Sequence, residues 1–156
     1  MSLPPSFDRV LRLLDRRLKN ALFPWAFTGS LGMWLQGMTL EPRDIDVQTH
    51  RGGAYQLQAL FPEYITLPVA FKASERIRSH FGAMEIEGVV VEIMGEMEKL
   101  RPDGLWEPAP DLPSVTRWVE YAGMRLPVLD LAYEVESYRL MGREAKAELI
   151  RAFLAR

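Results

Sequence analysis

A chain of 156 residues, 26% charged and 48% hydrophobic, has ordinary globular composition, and at that length folding can bury roughly 70% of the surface the unfolded chain exposes, so one domain over residues 1–156 is expected. The formal charge of −2 argues against nucleic acid or an anionic membrane as partner. The absence of cysteine excludes disulfides, thiolate nucleophiles and Cys-containing zinc sites, and two histidines are too few for a histidine-built metal centre.

The N-terminal "MSLPPSFDRVLRLLDRRLKN" mixes aspartates and arginines where a signal peptide would be apolar, and no window approaches the ~20 apolar residues of a membrane span. A cytoplasmic location is the expectation by default. From Ser6, a candidate cap, the apolar residues Phe7, Val10, Leu11, Leu14, Leu18 and Leu22 follow helical spacing until Pro24. "WAFT" then reads as a short strand entering Gly29 and Ser30, and a second helix runs from Leu31 to about Gln36, stopping near Gly37.

The run Asp44 to His50 alternates as a strand does, with Ile45, Val47 and Thr49 on one face and Asp44, Asp46, Gln48 and His50 on the other. "RGGAYQLQALF" reads as a loop entering a helix, Tyr64 to Lys72 as a strand, and "SHFGAMEIEGVVVEIMGEM" as a hairpin turning near Glu87 and Gly88. Four prolines between Arg101 and Pro113 predict an irregular surface connection. Two short strands turning at Ala122 and Gly123 follow, and then two helices broken near Gly142. The order of elements describes an α+β or α/β domain with a mixed sheet.

Strands disfavour aspartate, so two on one strand face require a reason. Alternate residues on a strand face lie roughly 6.5–7 Å apart, which lets Asp44 and Asp46 converge on a common cation. Magnesium suits them, since it prefers hard oxygen and takes one or two protein carboxylates while water and phosphate fill its other positions. Glu92, the single acid within the apolar "VVVEIM", is the third candidate, because a strand-centre glutamate without a cation nearby would be costly to bury. Gly29 and Ser30 stand where strand passes into helix, a place for phosphate, with Arg43 and Arg78 as further nucleotide-binding candidates.

"TGS", thirteen residues, then "DIDV", then the acid of "VVVEI" resembles the pattern of the DNA polymerase beta-like nucleotidyltransferase superfamily. The closest flavour is its small stand-alone bacterial branch, which includes antibiotic nucleotidyltransferases, and "LPVLDL" and "GREAKAEL" extend the likeness across most of the chain. The resemblance implies a mixed central sheet flanked by helices, one or two Mg2+ ions on Asp44, Asp46 and Glu92, and phosphates at Gly29 and Ser30. It also implies transfer of a nucleoside monophosphate from a nucleoside triphosphate such as ATP to an acceptor hydroxyl on an unknown small molecule or protein, with Glu92 either a ligand or a general base. Leu31 replaces the arginine common in antitoxin-like members, which disfavours the alternative of a non-catalytic nucleotide-binding antitoxin or regulatory module. Without an appended acceptor domain, acceptor contacts are expected from loops, from a homodimer or partner protein, or not at all.

Other residues carry plainer assignments. Trp25, Phe27, Trp34 and Phe61 are expected in the core, and Lys72, Arg76 and His80 at a solvated strand end. Tyr138, Arg139 and Arg143 are assigned to helix surface.

Overall fold

The structure is a computed structural model describing residues 2–156. Helix α1 (Pro5–Leu18) starts on Pro4 and Pro5 rather than on a Ser6 cap. Proline has φ preset for a helix and lacks the N–H that a first turn leaves unpaired, so no side-chain cap is needed there. The helix also ends a turn earlier than its spacing predicts: the chain turns back after Leu18, and Leu22 is wholly exposed.

The remaining elements are β1 (Trp25–Thr28), α2 (Gly29–Leu35), β2 (Ile45–Thr49), α3 (Arg51–Ala59), β3 (Ile65–Ala73), β4 (Ile77–Ile86), β5 (Val89–Leu100), β6 (Trp106–Glu107), α4 (Leu112–Val115), β7 (Thr116–Tyr121), β8 (Met124–Leu129), α5 (Leu131–Leu140) and α6 (Glu144–Leu154). The predicted irregular connection thus contains a two-residue strand and ends in a helical turn that takes in Ser114 and Val115, the first residues of the expected next strand. Both predicted hairpin turns stand, Glu87–Gly88 and Ala122–Gly123 each with positive φ at both positions, the type I′ geometry that matches strand twist.

The strands form one mixed sheet in the order β3-β4-β5-β2-β1-β8-β7, with β6 added to β5. The β2–β5 and β1–β8 pairs are parallel and the others antiparallel. Strand alternation sends Phe27, Ile45, Val47, Val91, Ile93 and Val128 to one face, where Leu11 and Leu14 of α1 and Leu57 of α3 complete the main core. The opposite face is smaller and more polar: Ala26, Leu112 and Leu129 pack there beside Tyr133, while α5 and α6 close on Met33 and Met38. No helix among the described residues is long and apolar enough to cross a membrane.

His50 does not join the strand's acids. Its Nδ1 accepts from the Gly53 N–H at 2.7 Å and so caps α3. Trp25 and Trp34 are only half-buried, each with its ring edge against an aromatic neighbour, Phe27 and Tyr121 respectively, whereas Phe27 and Phe61 are fully buried.

Candidate active site

Two register relations assemble the acids. Asp46 of β2 lies level with Glu92 on the parallel strand β5, and across the antiparallel pair it faces Thr28, the last residue of β1. Residues paired in this way share a sheet face, so Asp46, Glu92 and Thr28 all project to the side opposite the main core. Asp44 stands exposed immediately before β2, at the same end of the strands.

The carboxylates disturb one another. Burial, with the charges of Glu92, Asp44 and Glu134 added, pushes the Asp46 carboxyl up to about 7. Glu92 is raised as well, first by burial and then by Asp44. Among the described residues neither Asp44, Asp46 nor Glu92 has an ion-pair partner. Nor, among the described residues, do three carboxylate or imidazole groups already surround a common point. The donor set therefore offers hard oxygens with uncompensated charge but no closed cage. It fits a divalent cation that keeps water or phosphate on much of its shell.

Gly29 forms the corner between β1 and α2 with φ +67. A Cβ there would stand 2.5 Å from Asp46 Oδ2, so only glycine lets the corner approach the acid so closely. Its N–H does not serve as the free donor that a strand-to-helix turn suggests, because it donates to Glu134 Oε2 at 3.3 Å. The same oxygen accepts from Thr28 Oγ1 at 2.7 Å. The first-turn amides left without an intrahelical acceptor are then those of Ser30 and Leu31, next to the Ser30 hydroxyl.

Glu134 itself escapes the motif-based reading. It lies on α5 and is 3% exposed, and burial raises its carboxyl against the opposing pull of the Thr28 and Gly29 hydrogen bonds and of Lys99. One signal in the sequence could have found it: Leu131, Val135 and Tyr138 form the apolar stripe of α5, and Glu134 interrupts that stripe. Lys99, also 3% exposed, donates from Nζ to the Tyr133 hydroxyl at 3.0 Å.

A bulge explains how Lys99 reaches that face. Between the pairs His80–Gly95 and Arg78–Glu98, two steps along β4 match three along β5, and Glu96 has φ 54. The extra residue inverts the alternation. Lys99, which would otherwise follow Val91 and Ile93 into the main core, turns toward α5.

Tyr138 is not on the helix surface. It is buried, and its hydroxyl lies near enough to Glu134 and Asp46 for both charges to raise it, after burial, while Arg143 acts in the opposite direction. The Arg143 guanidinium lies over the Tyr138 ring at 5.0 Å. Arg43 is exposed beside Asp44. Arg78 is not brought to the acids: it pairs with Glu98 at 2.5 Å, lies over Trp106 and sits far along β4 from Ala83, the residue opposite Glu92. A cavity of about 620 Å³ lined by Phe23, Trp25, Trp118 and Met124 lies toward the start of β1, away from the acids.

The sequence profile of the aminoglycoside-2''-adenylyltransferase family matches residues 9–153. No curated protein matches the chain. Among solved structures, a candidate nucleotidyltransferase of Thermotoga maritima is 45% identical, covering 99% of this chain and 96% of its own, with a TM-score of 0.87. The lincosamide antibiotic adenylyltransferase LnuA, solved with lincomycin bound, is 15% identical over 97% of this chain and 98% of its own, with a TM-score of 0.56. ANT(2'')-Ia in complex with adenylyl-2''-tobramycin is 15% identical over 92% and 94%, with a TM-score of 0.53. The last two likenesses concern the fold.

Proposed function

Because the chain belongs to the aminoglycoside-2''-adenylyltransferase family, we propose that it transfers a nucleoside monophosphate from magnesium-bound ATP to a hydroxyl of a small-molecule acceptor. Nucleotide transfer follows from family and fold. Magnesium, ATP and the acceptor class are our reading of the site. The observation that carries it is Asp46 in register with Glu92, its carboxyl pushed up to about 7 beside the Gly29 corner.

In this reading Asp44 and Asp46 would hold the ion, which would supply countercharge to the triphosphate and polarise the acceptor oxygen. That oxygen bonds to the α-phosphorus as the bond to the pyrophosphate oxygen breaks, and the hydroxyl proton passes to a carboxylate. We assign the proton to Glu92, whose affinity for it is raised by burial and by Asp44. The Ser30 amide and hydroxyl meet the terminal phosphates. Arg43 remains a candidate for the triphosphate, and Arg143, without a carboxylate partner among the described residues, replaces Arg78 in that role.

The acceptor class is supported by the antibiotics named with LnuA and ANT(2'')-Ia. The test is pyrophosphate release from ATP and Mg2+ over a panel of hydroxyl-bearing small molecules, aminoglycosides and lincosamides included, with the acceptor's mass gain measured in parallel. We expect acceptor-dependent release, and a loss of about a hundredfold or more in Glu92→Gln. ATP binding without release on any acceptor would instead favour a regulatory module that has kept the fold.

A further inference from the structure

We infer that Glu134 is a positioning residue for the nucleotide corner: through Thr28 and Gly29 it sets where the corner stands against Asp46. This deepens the function proposed above and rests on it. One oxygen, Oε2, holds both the Thr28 hydroxyl at 2.7 Å and the Gly29 amide at 3.3 Å. Thr28 is the residue that faces Asp46 across the β1–β2 pair, and Gly29 is the one whose missing Cβ makes room for Asp46 Oδ2. A carboxylate that fixes these two consecutive residues therefore fixes one wall of the acid cluster and the starting point of α2.

A simpler role, an acid tolerated in the core, does not account for the surroundings. A buried carboxylate is costly unless it is paired and hydrogen-bonded. Here the bulge at Glu96 inverts β5 so that Lys99, also buried, faces α5, where its Nζ donates to the hydroxyl of Tyr133, the residue next to Glu134. Two buried titratable side chains and an irregular strand thus lie on the side of the sheet where Glu134 holds the corner. Packing α5 against the sheet requires none of this, since leucine at position 134 would extend the stripe of Leu131, Val135 and Tyr138.

Glu134→Leu, Glu134→Gln and Thr28→Val test the inference by two readouts: hydrogen exchange of the Gly29 amide in nucleotide-free protein, and calorimetric Kd for ATP with Mg2+. With the anchor removed in Glu134→Leu, Gly29 exchange should accelerate about tenfold or more and Kd should rise by about tenfold, while the amides of β2 and β5 keep their rates. Glu134→Gln, whose amide oxygen still accepts from Gly29, should recover most of both losses. Thr28→Val, which removes only the hydroxyl, should move both readouts less. It also serves as the deciding variant should Glu134→Leu fail to fold. Unchanged Gly29 exchange and Kd would overturn the inference, as would acceleration spread equally over β2 and β5, because Glu134 would then act on the whole fold. If the unsubstituted protein binds no ATP with Mg2+, the proposed function fails, and Gly29 exchange alone decides whether Glu134 anchors the corner.

Discussion

Asp46 combines a half-buried position with three acidic neighbours, and the metal-free protein carries the resulting repulsion as instability. The folded carboxyl titrates at about 7, above its ordinary value of 3.8, so the folded state binds the proton more tightly than the unfolded chain does. Stability should then fall as pH rises between these two values and level off above about 7. Asp46→Asn should therefore raise the Tm of the metal-free protein at pH 8, with the gain shrinking toward pH 4, and thermal melts across that range with chelator present measure it. For the magnesium site proposed above, the same sign should make Mg2+ affinity increase with pH up to about 7, since the ion would compete with the proton. Gly29→Ala should act on the same contact from the other side: a methyl group 2.5 Å from Asp46 Oδ2 must displace either the acid or the corner, and φ +67 adds strain for any L side chain. We expect a lower Tm together with a loss of ATP affinity, read by melting and calorimetry.

The elements themselves were largely legible in the chain because each has a local cause. Helical spacing marks α1, alternation marks β2, and the short turns at Glu87–Gly88 and Ala122–Gly123 mark the hairpins. What local patterns missed are features that depend on a neighbour. The bulge at Glu96 is invisible in "EIMGEMEKL", since an extra residue exists only relative to the strand it faces. Close packing of α3 on β5 is another such feature. A Cβ on Gly95 would stand 2.6 Å from the Ala54 Cβ and 2.9 Å from the His50 carbonyl oxygen, so Gly95→Ala should push α3 off the sheet at about 1–3 kcal/mol of stability. Chemical denaturation checks this, and a Cm within error of the unsubstituted protein would mean that α3 yields without cost.

For the molecule as a whole, the proposed function requires nucleotide and metal to be coupled, because the acids would repel a triphosphate until a cation intervenes. ATP with Mg2+ should raise the Tm, by about 2.7 kcal/mol of stability at a hundredfold excess over Kd, and ATP with chelator should raise it much less. Equal shifts with and without Mg2+ would separate nucleotide binding from the acid cluster. The residue types on which the proposed coupling rests stand in the chain itself: Gly29 and Ser30 before a helix, Asp44 and Asp46 at the start of an alternating strand, and Glu92 alone among valines together suggest a cation and a phosphate without coordinates. The partners of those residues cannot. Parallel pairing of β2 with β5 sets Asp46 level with Glu92, and α5, a hundred residues beyond the corner, delivers Glu134 to Thr28 and Gly29. Arg78 illustrates the same limit, being cationic in sequence but committed to Glu98 by a strand pairing. Motifs report what a residue can do. Register and long-range packing decide what it meets, because hydrogen bonds and charges act over a few ångströms of space whatever their separation along the chain.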